Sequence, residues 1–277
     1  MDSWALPTPN LPASRLRRRG FTGMATPEQF YDDLAPEYHR LFADWWSAAQ
    51  WHGQVIAGIL AQHGIPEGRL LDCTCGIGTQ ALPLATLGYG VTASDVSKAA
   101  IDRARVEAAE RRIDVDFKIC DVREIRDHVE GTFDVVISCD NALPHLLTDE
   151  HLQNALSSVR ACLRPAGLLL ASLRDYDALR LIRPDGVPIS VHGEVGSRHG
   201  SGQVWRWSAD AEYVDIELFT FAEEAAGSWR ASSGTTRYRA LQRAKLESLL
   251  ISAGFTAVEW LMPDVSGYYQ PIVLAKA

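Results

Sequence analysis

The segment Arg69-Leu-Leu-Asp-Cys-Thr-Cys-Gly-Ile-Gly-Thr79 sets the narrowest limit on what this chain can fold into. Leu70, Leu71 and Cys73 read as a parallel strand buried on both faces, and it runs past Asp72 directly into a Cys-Gly-x-Gly turn. Gly76 and Gly78 remove the Cβ atoms that would hold a ligand off the backbone. A helix opening near Thr79 aims its free N–H groups at the same spot. Strand, glycine turn and helix N-terminus in that order belong to an open α/β sheet with its ligand beyond the strand ends. The dinucleotide fingerprint G-x-G-x-x-G is not met, because its third glycine is missing.

Each following strand ends on an acid. Gly88-Tyr-Gly-Val-Thr-Ala-Ser-Asp95 is a second strand whose terminal carboxylate can accept two hydrogen bonds from ribose hydroxyls. Val115 to Asp121 is a third, and Phe133 to Cys139 a fourth that stops beside Asp140 and Asn141. One aspartate at a strand end reads equally well as a helix cap or turn former. Acids at successive strand ends do not, because caps need not fall there.

This order of parts resembles a class I S-adenosylmethionine-dependent methyltransferase, closely from about Gly64 to Asp175 and in outline beyond. The resemblance implies an α/β fold with a Rossmann-like seven-stranded sheet whose last strand is reversed, and S-adenosyl-L-methionine as cofactor. It puts Asp95 on the ribose and Asp121 on the adenine amino group, with Asp72, Thr74, Gly76, Gly78, Val96, Val122 and Cys139 lining the pocket. Asp140-Asn141 with His145, and Arg174-Asp-Tyr176, are similar to the glycine/sarcosine N-methyltransferase group, where a corresponding asparagine and arginine hold an amino-acid carboxylate. That implies substrate contacts from Asn141, Arg174 and Tyr176.

The residues themselves leave alternatives. A guanidinium at the end of a buried strand needs an anion, and Arg174 has two sources: an acceptor carboxylate, or an internal partner among Asp140, Asp175 and Asp177. His145 reads as a base for a hydroxyl acceptor or as a cap on the next helix.

Around this core the chain divides into a flexible tail (1–23), a helical lid with the cofactor core (24–183), an antiparallel β insertion over the cleft (184–240) and the end of the core sheet (241–277). The tail carries Pro7, Pro9 and Pro12, then Arg15 and Arg17 to Arg19. Arg18-Arg19 lacks the apolar run of an export signal, and Met24 is an alternative start. Pro27 to Leu60 reads as helical and aromatic, mostly core, with Tyr31 and Tyr38 able to turn hydroxyls into the cofactor pocket. The insertion follows the fifth strand and reads as three antiparallel strands, Gln203–Ser208, Tyr213–Phe221 and Ser228–Arg239, with a turn at Ala226-Gly227. Trp205, Trp207, Trp229, Arg237, Tyr238 and Arg239 are its candidates for touching substrate, on one face only. Tyr268, Tyr269 and Gln270 read as turn and packing residues.

A net charge of −8 argues against a nucleic-acid partner, and no apolar run reaches the ~20 residues that span a bilayer. Five cysteines without a secretory segment point to reduced thiols in the cytoplasm. Cys73, Cys75, Cys120 and Cys139 lack the paired spacing of a metal site and read as packing. A Tyr-x-x-x-Lys pair is missing after the fourth strand, which disfavours a nicotinamide oxidoreductase. The expected activity is methyl transfer to a small molecule, foremost N-methylation of an amine or amino-acid-like acceptor. O-methylation with His145 as base, or a non-enzymatic cofactor-binding protein, are the alternatives, and a homo-oligomer is compatible with all three.

Overall fold

The strand β1 (Arg69–Asp72) is the axis of the main sheet: Leu70 and Leu71 are fully buried, and it pairs in parallel with β2 (Gly90–Asp95) on one side and β4 (Phe133–Ser138) on the other. β3 (Asp116–Ile119) extends the sheet beyond β2, and β5 (Leu163–Ser172) extends it beyond β4. Strand order therefore switches direction between β1 and β4, which opens a crevice at their carboxyl ends. The computed structural model describes residues 25–224 and 228–277. The expected tail, the Arg18-Arg19 pair, the Met24 start and the Ala226-Gly227 turn lie outside those residues.

The insertion is a second sheet of four antiparallel strands, β6 (Gly186–His192), β7 (His199–Trp207), β8 (Tyr213–Glu223) and β9 (Trp229–Arg239), paired in that order. One strand more is present than the three the polarity pattern indicates. β6 holds Pro188 and is irregular between Val187 and Ser190, so it carries no clean alternation; a proline is tolerated there because β6 is an edge. β8 alternates without a fault, and Val214, Ile216 and Leu218 face inward. The chain then returns to the main sheet through β10 (Thr256–Leu261) and β11 (Ile272–Lys276), giving the order β3-β2-β1-β4-β5-β11-β10. β11 is antiparallel to both neighbours, as expected of the reversed last strand.

The aromatic leading segment is broken rather than continuous. Helix α1 (Pro27–Leu34) stops before Pro36, which has no N–H to donate. A 3-10 turn spans Tyr38–Leu41, and α2 (Trp45–Gln62) restarts where the Asp44 side chain accepts from Ser47 N at 3.0 Å. α3 (Ala81–Thr86) follows β1, and α4 (Lys98–Arg111) follows β2. Helix α5 (Asp149–Cys162) connects β4 to β5, and α6 (Tyr176–Ile182) leads from β5 into the insertion. The short α7 (Arg243–Ser252) packs on α5 in a core that also takes Trp205, Val214, Ile216 and Tyr238 from the second sheet. Phe30 and Leu34 of α1 seat against Leu218, so the leading helix is held between the two sheets.

Candidate cofactor and acceptor site

The β1 turn and the leading segment enclose a cavity bounded by Tyr31, Tyr38, Thr74, Gly76, Thr79, Gln80, Asp95, Cys139 and Asp140. Gly76 has φ of 54°, a conformation that suits a residue without Cβ, and a Cβ placed there would meet no atom within 4 Å. That position faces the open cavity, as a cradle for a ligand requires. Gly78 (φ 93°) closes the turn by donating to the Cys75 carbonyl at 2.8 Å. At the end of β2, Asp95 accepts from Gly76 N and Ser97 N, each at 2.9 Å, one on each oxygen. A second lone pair on each oxygen stays available for a pair of vicinal hydroxyls. Burial pushes this carboxyl upward, opposed by those backbone donors. Asp72 lies beneath the turn, buried, accepting from Thr74 N at 3.3 Å with its other oxygen unmatched; burial pushes it up as well. Thr74 Oγ1 is 3.0 Å from Ser138 Oγ and ties the turn to β4.

Asp121 lies just past the end of β3 and caps the short turn Val122–Asp127. Burial raises its carboxyl, but hydrogen bonds from Arg123 outweigh that and hold it below the usual carboxylate range. Its side chain is therefore engaged by Arg123. Val96 and Val122 follow Asp95 and Asp121 at the same edge of the sheet. Cys73, Cys75, Cys120, Cys139 and Cys162 are all unpaired and buried, and burial pushes their thiols up. Among the described residues no group of three His, Cys, Asp or Glu could hold a metal ion.

A second cluster lies past Tyr31. The Tyr31 hydroxyl is 3.0 Å from His145 Nε2 and 3.4 Å from the Tyr238 hydroxyl. The His145 and Tyr238 rings are 4.1 Å apart, and Thr236 Oγ1 is 3.4 Å from His145 Nδ1. Burial first, and then the Arg174 charge, lower His145 to about 3, so the imidazole is neutral at physiological pH. Arg174 lies over Trp205 (4.8 Å) and Tyr238 (5.4 Å), and donates from Nη2 to Gln203 at 3.4 Å. Its Nη1 is buried without a hydrogen-bond partner. Among the described residues no carboxylate pairs with it. Asp175 and Asp177 both engage Arg243, and Asp140 is bonded elsewhere. Asn141 accepts from Arg174 N at 3.1 Å and donates to the Tyr176 hydroxyl at 3.0 Å, bracing the loop that carries the arginine. Tyr176 is buried, which pushes its phenol up to about 12. Arg239 stands apart: Tyr238 takes the cleft face of β9, and Arg239 turns to Asp149 at 2.7 Å.

A family described as a methyltransferase domain matches residues 70–167. The glycine/sarcosine N-methyltransferase of Parasynechococcus marenigrum is 26% identical over 83% of this chain and 77% of its own length. The glycine N-methyltransferase of Homo sapiens is 29% identical over 59% of each chain. The fold is shared with a structure of CalS10 from Micromonospora echinaspora, an amino pentose methyltransferase with S-adenosylmethionine bound. Its TM-score is 0.67 at 20% identity, covering 87% of this chain and 94% of that one. The chain belongs with the class I S-adenosylmethionine-dependent methyltransferases. In this methyltransferase the cofactor brings a methyl group on a sulfonium, a leaving group that needs no acid. To such a cofactor the chain would offer position: the free lone pairs of Asp95, the open backbone at Gly76 and the aromatic side chains of Tyr31 and Tyr38 along the same cavity.

Several site residues have no sequence motif behind them. Gln80, His52, Tyr268 and Tyr269 converge on Asp140, and Asp32 of α1 accepts from Ser97 Oγ (2.6 Å) and Ala99 N (3.0 Å) at the start of α4. Tyr268 and Tyr269 are thus more than turn and packing residues. Because β11 runs opposite to β5, with Ile272 paired to Ser172, the beginning of the last strand lies at the edge where the parallel strands end.

Proposed function

We propose that this methyltransferase N-methylates a small amine that also carries a carboxylate, an amino-acid-like acceptor. The observation that carries this reading is Arg174. It is a guanidinium with a buried, unpartnered nitrogen, no carboxylate paired with it among the described residues, and aromatic rings at 4.8 and 5.4 Å. Leaving such a group unmatched costs stability, and its planar fork suits a carboxylate. The glycine-methylating names of the relatives agree with an acceptor of this kind. An amine also suits His145, since a neutral amine attacks without a base. A hydroxyl acceptor would need one, and an imidazole lowered to about 3 is a weak proton acceptor. Five unpaired cysteines support residence in a reducing compartment such as the cytoplasm.

The test is Arg174→Lys, which keeps the charge and loses the fork. With a carboxylate-bearing amine, kcat/KM should fall about tenfold or more while cofactor affinity stays the same. A best acceptor without any anionic group, found on a panel of amines, would remove the amino-acid reading and leave the class assignment intact.

A further inference from the structure

Asp140 and Asn141 are consecutive residues in the left-handed region, with φ of 57° and 70°. Ser172 holds both, accepting Asp140 N on its hydroxyl at 2.9 Å and Asn141 N on its carbonyl at 3.1 Å. The two side chains find different partners. Asn141 goes to Tyr176 and the Arg174 backbone. Asp140 goes into the wall of the cavity that also contains Thr74, Gly76 and Asp95.

There Asp140 is aimed by neutral donors from separate elements. Gln80, at the start of α3, donates to Oδ2 at 2.7 Å, and the hydroxyls of Tyr268 and Tyr269 donate to Oδ1 at 2.8 and 2.7 Å. The only basic group nearby among the described residues is His52, 4.0 Å away, and burial lowers its imidazole toward the neutral form. The carboxylate side chain is 15% exposed, and among the described residues no lysine or arginine pairs with it. A nearly buried anion held by neutral donors, facing a ligand cavity, is matched by a cation on the ligand.

Asp95 and Asp140 both line this cavity. With the ribose hydroxyls on Asp95, the cofactor carries two cations beyond the sugar, the sulfonium on the 5′ carbon and the α-ammonium of the methionyl arm, and only the ammonium has N–H groups to donate to a carboxylate. We propose that Asp140 anchors that ammonium, so that two carboxylates hold the cofactor on either side of the sulfonium, at the ribose and at the methionyl arm, and set where the methyl group lies. Asp140 is a positioning residue in this scheme, and the inference is independent of the identity of the acceptor.

Calorimetry with S-adenosylhomocysteine and its desamino analogue, which lacks only the ammonium, tests it without turnover. The wild-type protein should prefer S-adenosylhomocysteine at least tenfold, and Asp140→Asn should weaken that ligand to the level of the analogue while leaving the analogue within twofold. Asp95→Asn should weaken both ligands alike. Equal binding of the two ligands by the wild-type protein overturns the proposal, and this arm needs no variant to fold. So does an Asp140→Asn variant that keeps the preference, or one that binds S-adenosylhomocysteine normally and shows only a raised KM for the acceptor.

Discussion

His145 concentrates the chemistry of single residues here. It is half-buried, packed between Tyr31, Tyr238 and Thr236 with the Arg174 charge close by, and it is lowered to about 3 from an ordinary value of about 6.5. Between those values the unfolded chain takes up a proton that the folded protein refuses. Stability is therefore unaffected by this group near neutrality and is lost as pH falls below about 6.5, at a limiting slope of about 1.4 kcal/mol per unit. Asp72 and Asp95 act in the opposite sense, since their raised carboxyls favour the folded form as protons are added. The comparison that isolates His145 is therefore wild type against His145→Phe. Between about pH 7 and about pH 5 the wild-type protein should lose about 2 kcal/mol more than the variant in urea unfolding. Identical pH profiles would mean that the imidazole charges freely in the fold. Residue identity and residue placement were not equally legible in the sequence. Alternation along β9 says that Tyr238 and Arg239 face opposite ways, but not which of them faces the cleft, since the phase is set by how the sheet docks. The same limit hides Asp140: Asp and Asn favour the left-handed region, but the direction of the side chain is set by Ser172 and the elements that pack around the turn.

Elements with strong local signals were readable, and the others depended on their surroundings. The reversal of β11 is expected only through the resemblance to the methyltransferase sheet, whereas β1, β2, β4 and the glycine turn declare themselves through apolar runs closed by acids or glycine. β6 does not, because Pro188 breaks its pattern and only an edge position rescues it. Helix α1 is the most context-dependent. Eight residues are too few to form a stable helix alone, so its place over the cavity depends on Phe30 and Leu34 against Leu218 and on Asp32 at the start of α4. Asp32→Ala removes two hydrogen bonds there, and losses of this capping kind are worth about 1 kcal/mol, or about 2–4 °C in Tm for a chain of this size. Because Tyr31 is the next residue and lines the cavity, the same variant should bind S-adenosylhomocysteine several-fold more weakly. A lower Tm with unchanged affinity would separate α1 from cofactor binding.

At the scale of the whole molecule the cavity lies at the crevice of the main sheet with two covers beside it: α1, which supplies Tyr31 to its lining, and the second sheet, which packs on α1 through Leu218. The two covers differ in what holds them. Trp205, Val214, Ile216 and Tyr238 tie the second sheet into the same core as α5 and α7, whereas α1 is held by a small apolar cluster and a few polar contacts. Opening should therefore be local to α1 and the Tyr38–Leu41 turn, at a free-energy cost well below that of global unfolding. Ligand binding then has two separate signatures. S-adenosylhomocysteine at a hundred times its Kd should stabilise the whole protein by about 2.7 kcal/mol, raising Tm by about 5–11 °C. Hydrogen exchange under native conditions should slow most at α1 and the 73–80 turn, with α7 responding only through the global term. Equal added protection at α1 and α7 would mean that α1 does not open on its own, and that the ligand enters by movement of the second sheet or through wider unfolding.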